Sequence, residues 1–118
     1  MESWDLTAIE TPGGTVSPVV LRSSDEARAV VIGIEPGQEL GDHQVKEHAW
    51  VVVVDGTVEI EADGRTTSAG AGTLLAFAPD ERHALRSAGG ARILLILAPW
   101  PGEGHYRGGG APRARVGA

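Results

Sequence analysis

Short runs of β-branched and apolar residues recur from residue 16 to residue 98, and each is closed by a turn cluster before a helix of useful length can form. The runs are 16–22, 27–35, 49–54, 57–61, 65–68, 73–78, 83–87 and 91–98. Between them stand Ser23-Ser24-Asp25-Glu26, Pro36-Gly37, Asp55-Gly56, Ala62-Asp63-Gly64, Gly70-Ala71-Gly72, Pro79-Asp80 and Ala88-Gly89-Gly90. Asp-Gly between apolar runs is a hairpin signal, because both residues of a tight turn must take positive φ. Two such turns predict a three-stranded meander over residues 49–68. Eight or nine short strands at regular spacing, with no convincing helix, predict an all-β sandwich or small antiparallel barrel.

The alternation within the runs says which faces are covered. Val58, Ile60 and Ala62 fall on one face of their strand and Glu59 and Glu61 on the other, the pattern of a half-exposed strand. Residues 51–54 and 93–97 are apolar without alternation, so both of their faces need cover. In a small barrel one face lines the interior, and the other must meet a second sheet or a second subunit. A homodimer is the natural expectation.

Charge limits the partners. Among its 118 residues the chain carries 16 acidic and 10 basic side chains, for a formal charge of −6. Residues 1–98 hold fifteen of the acids and seven of the bases. An acidic body repels nucleic acid and anionic membrane, and neither is expected as a partner. The longest apolar runs are too short to span a bilayer as a helix. Cysteine is absent, which removes thiol chemistry and any Cys-based zinc site and suits a reducing compartment. With no leader-like pattern at the N-terminus, the expectation is a soluble cytoplasmic protein.

Three segments are expected: a mixed lead-in at 1–15, a β body at 16–98, and a Gly/Pro/Arg-rich tail at 99–118. The tail holds six glycines and three prolines, little apolar surface to offset the entropy of ordering. It is expected to move freely or to be pinned only at Trp100 and Tyr106, with Arg107, Arg113 and Arg115 solvated and His105 without a role.

The most specific signal lies in two stretches. The first reads Gly37, five residues, His43-Gln44-Val45, three residues, Ala49, six residues, Gly56. The second reads Gly72, five residues, Ala78-Pro79-Asp80, two residues, His83. This spacing resembles the paired motifs of the cupin superfamily: Gly, five residues, His-x-His, three or four residues, Glu, six residues, Gly; then Gly, five residues, Pro-x-Gly, two residues, His. Gly37, His43, Gly56, Gly72 and His83 fall in register, and the resemblance covers about residues 30–98. It implies a double-stranded β-helix, a jelly-roll barrel that in many members binds a divalent metal through three histidines and a glutamate.

The chain departs from that pattern where the ligands would be. Val45 stands at the second histidine, Ala49 at the glutamate, Ala78 at the proline and Asp80 at the glycine. Two of four expected ligands remain, His43 and His83, where a catalytic metal site offers at least three protein ligands. Three readings stay open for these histidines: structural groups at the barrel mouth, contacts or acid/base groups for a ligand in an apolar cavity, or holders of Fe, Mn, Ni or Zn with help from Glu47 or His48, of which Glu47 shares the strand parity of His43. Otherwise Glu47 is expected to be solvated or paired with Lys46 or Arg82, His48 to lie on the surface, Trp50 to pack or contact a second subunit, and Asp80 and Glu81 to form a turn.

Two functions follow from this pattern. The first is a binding module without a cofactor, in which Val45, Ala49, Val51, Phe77 and either Leu75 or Leu85 line a cavity whose polar groups are His43 and His83. It would suit a small, partly apolar molecule. The second is an enzyme: a metal-dependent dioxygenase or isomerase, or a metal-free one with a histidine base. A structural dimer with a vestigial cavity is the third option.

Overall fold

The computed structural model describes residues 1–105, except for the side chains of Asp42 and His43. Tyr106 and the three tail arginines lie outside the described residues. Among the described residues eight strands are present: β1 (Val19–Ser23), β2 (Arg28–Ile34), β3 (Glu39–His43), β4 (His48–Ala62), β5 (Arg65–Gly70), β6 (Leu74–Phe77), β7 (His83–Arg86) and β8 (Ala91–Ala98). Every pairing is antiparallel. One sheet runs β1-β2-β8-β4-β6 and the other β3-β7-β4-β5, so β4 belongs to both. This is the curled all-β architecture expected of a jelly roll.

The double membership of β4 corrects one expectation. Asp55-Gly56 is not a hairpin turn: the strand continues through it from His48 to Ala62. Its ladder with β8 shifts register between Val53 and Asp55, a β-bulge. The buried positions move accordingly, from Ala49, Val51 and Val53 to Val58 and Ile60, from odd to even. An inserted residue reverses which face each later side chain occupies. It thereby lets one strand leave the β8 ladder and enter the β5 and β7 ladders while keeping its apolar side inward. Gly56 makes the bend possible. Its φ is 78°, and a Cβ there would lie 2.2 Å from the Gly90 carbonyl oxygen. The second Asp-Gly does turn the chain: Asp63 and Gly64 have φ of 55° and 75°, and Ala62 pairs directly with Arg65.

β3 is absent from the sequence reading, because Gly41 and Asp42 interrupt its apolar pattern. It forms against β7, pairing Leu40 with Leu85 and His43 with His83 across a bulge.

The core lies between the sheets and is dominated by Val30, Ile32, Ile34, Val51, Val53, Val58, Ile60, Leu85, Ile93, Leu95 and Leu97. Part of the lead-in, residues 6–11, lies against β2 and β8. The Arg92 guanidinium donates to the Leu6 carbonyl at 3.1 Å and to that of Ile9. Gly33 leaves room for Thr11, whose Oγ1 would be 2.4 Å from a Cβ at that position. The segment that follows β8 is also packed down. Trp100 is 8% exposed and joins the core, with the Arg28 guanidinium 4.6 Å from its ring centre.

Candidate functional site

A small cavity lies within the barrel. β8 contributes Ile93, Leu95 and Leu97, β4 contributes Ala49 and Val51, and β7 contributes His83 and Leu85; Leu40 of β3 and Val45 of the following loop complete the wall. Inside, the void is about 10 Å³, about what one water molecule needs. Counted out to the mouth, with the solvent there included, the empty space is about 270 Å³. The interior is thus close-packed, and an organic molecule could enter only if part of the wall moved.

His83 is the polar residue in this wall. It is 4% exposed, and its ring lies flat against Phe77, 4.0 Å between centroids at 12°. Its Nδ1 is 3.0 Å from the Glu81 carbonyl oxygen. A carbonyl only accepts, so Nδ1 carries the proton, and Nε2 is the acceptor in the neutral ring. The stack and the hydrogen bond fix the orientation of the imidazole. In the β3–β7 ladder His43 is the residue opposite His83, so the backbone brings the two motif histidines together. The side chain of His43 lies outside the description.

The turn before β7 explains why His83 sits at this point. Glu81 N–H donates to the Ala78 carbonyl at 3.1 Å, closing a turn whose third residue, Asp80, has φ of 65°. Positive φ at this position suits the glycine of the family motif; Asp tolerates it better than most residues. The turn also holds the loop that carries Val45. Asp80 N–H donates to the Val45 carbonyl at 2.7 Å, and Lys46 Nζ meets Asp80 Oδ1 at 2.8 Å.

Glu47 departs from expectation. It is neither solvated nor paired with Lys46 or Arg82, but 0% exposed. Its Oε2 accepts from the Gly102 N–H at 2.7 Å and lies 2.6 Å from His105 Nδ1. This carboxylate is committed to residues 99–105 and is not part of the cavity wall. His105, expected to have no role, is its partner and also lies edge-on to Trp100, 4.5 Å between centroids. The cause is tertiary: the segment after β8 turns back over the start of β4.

Other assignments fall in place more simply. Val45, Ala49, Val51 and His83 line the cavity; Phe77 lies behind His83 and supports it; Leu85 lines the wall, whereas Leu75 packs at the edge of the core. His48 is exposed and stacks on half-buried Trp50 at 5.8 Å. The sequence reading missed Leu40, Ile93, Leu95 and Leu97 as cavity residues. Alternation along β8 was the available signal, obscured because Leu94 and Ile96 are apolar too.

The donor set does not fit a full cupin metal centre. Val45 and Ala49 offer no donor atom to the cavity, and the Glu47 carboxylate is engaged elsewhere. Among the described residues no three His, Asp or Glu side chains cluster in a way that could hold an ion. Also among the described residues, no helix is long and apolar enough to cross a membrane.

Comparison with solved structures gives the same architecture. A conserved protein with a double-stranded beta-helix domain from Klebsiella pneumoniae is similar over 84% of this chain and 90% of its own, with 20% identity and a TM-score of 0.75. An RmlC-like cupin protein from Desulfovibrio desulfuricans covers 84% of this chain and 97% of its own, with 24% identity and a TM-score of 0.74. A cupin superfamily protein from Desulfitobacterium hafniense covers 79% and 85%, with 17% identity and a TM-score of 0.72. At these identities the likeness establishes the fold. No curated protein matches the chain. A family model described as Cupin domain matches residues 30–97, which include both motif stretches and every residue named above as lining the cavity. With more than half of its length under that match, and with the barrel and motif register described above, this chain belongs to the cupin-domain family.

Proposed function

We propose that the barrel is a binding module for a small, partly apolar molecule, held in the cytoplasm without a full metal site. One observation carries the reading: a buried imidazole, fixed by Phe77 and the Glu81 carbonyl, set into a wall otherwise made of apolar side chains. Ligand pockets commonly combine an apolar lining with a few oriented polar groups. Here the fixed His83 ring would give the ligand its polar contact, while Val45, Ala49 and Leu97 cover its apolar part. The inner void has room for about one water, so binding displaces solvent and moves the wall. A thermal-shift and native mass-spectrometry screen of small phenols, indoles and hydroxylated aliphatics tests this. A hit whose affinity falls at least tenfold in His83→Ala supports it; hits indifferent to His83 count against it.

A second reading is a metal-dependent dioxygenase or isomerase, using His43 and His83 with an auxiliary ligand. The placement of His43 opposite His83 favours it, and the apolar Val45 and Ala49 weigh against it. Metal analysis of protein purified without chelator separates the two. Near-stoichiometric Fe, Mn, Ni or Zn supports the enzyme. Protein still empty after incubation with each ion supports the binding module.

We also propose a homodimer through the outer face of the β8-β4-β6 sheet. Trp50 and Val52 of β4 lie beside Ile96 and Leu94 of β8 and Ala76 and Leu74 of β6, an apolar surface on which Leu74 is 61% exposed. Burial of such a surface is favourable in proportion to its area.

A further inference from the structure

We infer that residues 99–105 form a strap that closes one side of the cavity, with Glu47 as its latch, so that ligand access requires the strap to lift. This rests on the binding reading above. The route from strap to cavity is short. Glu47 stands between Val45 and Ala49, two residues from each, and both line the cavity. Gly102 N–H and His105 Nδ1 both meet Glu47 Oε2. Gly102 also packs tightly on the loop, since a Cβ there would lie 2.9 Å from the Lys46 carbonyl oxygen and 3.2 Å from Glu47 Cγ. At its other end the strap leaves β8 just after Leu97, another cavity residue, and buries Trp100. The loop carrying Val45 is therefore held from two sides, by the strap through Glu47 and by the Asp80 turn.

The latch is strong in geometry but incomplete in hydrogen bonding. Glu47 Oε1 is buried and has no partner among the described residues, and the same is true of Arg28 Nε on the side where the guanidinium lies against Trp100. Both groups flank the strap, and water would reach them on opening. A buried polar group without a partner raises the energy of the closed state. Segments that open locally are drawn from such low-stability regions. The core away from the strap shows the contrast: Val53, 0% exposed, donates its N–H to the Thr73 carbonyl at 2.9 Å. A barrel whose interior admits one water needs a moving element, and the strap is the element whose departure frees the Val45 wall.

The test measures amide hydrogen exchange in the full chain, together with the association rate of benzene as a small apolar probe. In Glu47→Ala the Gly102 amide, which donates to the latch, and the Asp80 amide, which donates to Val45, should both exchange roughly 10- to 100-fold faster. The Val53 amide should stay within about twofold, because it reports the core. Benzene should associate about tenfold faster. Should Glu47→Ala not fold, His105→Ala carries the test, because it keeps the bond from Gly102 to Glu47 and should give smaller changes of the same pattern. Faster exchange at Gly102 with Asp80 and benzene access unchanged would overturn the proposal, since the strap would then not move the wall. If benzene binds neither wild type nor variant, the cavity-binding reading fails, while the joint response of Gly102 and Asp80 still decides whether strap and wall are coupled.

Discussion

Substituting Val45→His and Ala49→Glu together places donor atoms in the wall that already holds His83. Both positions line the cavity, and Ala49 is 1% exposed. Without metal the double variant should be much less stable. A void of about 10 Å³ cannot take up the added atoms, and overpacking of this kind costs about 1–3 kcal/mol. A buried carboxylate without a partner costs about 3–5 kcal/mol more. The total, about 4–8 kcal/mol, is comparable to the whole stability of an ordinary domain, about 5–15 kcal/mol. An ion bound by the new set reverses much of this loss. At a free concentration about a thousand times its Kd it returns about 4 kcal/mol. For a chain of this size that corresponds to a rise in Tm on the order of 15 °C. The assay is thermal unfolding by circular dichroism, with and without Ni²⁺, Zn²⁺, Mn²⁺ or Fe²⁺, for wild type and for each single and double variant. A double variant that gains no more from any ion than wild type does would refute the reasoning, because the motif register would then not place these two side chains around a common point with His83.

Three further outcomes follow from the structure. His83→Ala should cost only about 1–3 kcal/mol in urea unfolding, through loss of the Phe77 stack and the bond to the Glu81 carbonyl; a loss near the total stability would make the histidine a structural group instead. Gly56→Ala should destabilise by about 3–5 kcal/mol, since it combines positive φ with a backbone clash, whereas Gly64→Ala, at a φ of 75° with nothing within 4 Å, should cost about 1–2 kcal/mol; equal losses would remove the close approach of β4 to Gly90 as the cause. Light scattering after size exclusion should give about twice the 12.2 kDa chain mass for wild type and a monomer for Leu74→Glu; monomeric wild type at high concentration would discard the dimer.

Much of this protein is legible in its sequence because the physics involved is local. Where no neighbouring strand carries the ladder through, turn residues end a strand by their own backbone preferences, so Ala62-Asp63-Gly64 and Pro79-Asp80 read as turns from composition. Alternation of side chains is a property of the extended backbone, so Val58 and Ile60 were assigned inward and Glu61 outward. Motif spacing put His83, Val45 and Ala49 around one cavity. Long-range packing decided the rest. The same Asp-Gly pair is a hairpin at Asp63-Gly64 and a bulge at Asp55-Gly56, because only at the second does β8 lie alongside and carry the ladder through. Whether an acidic residue is solvated or buried depends on what folds over it. Nothing near Glu47 in the chain announces Gly102 and His105, more than fifty residues away. The size of the cavity is also tertiary, being the residue left when side chains from four strands and a loop meet. Local rules therefore determined most of the strands and turns and part of the cavity wall, while the course of β4 between two sheets, the pairing of β3 and the burial of Glu47 under residues 99–105 arose only when distant segments packed together.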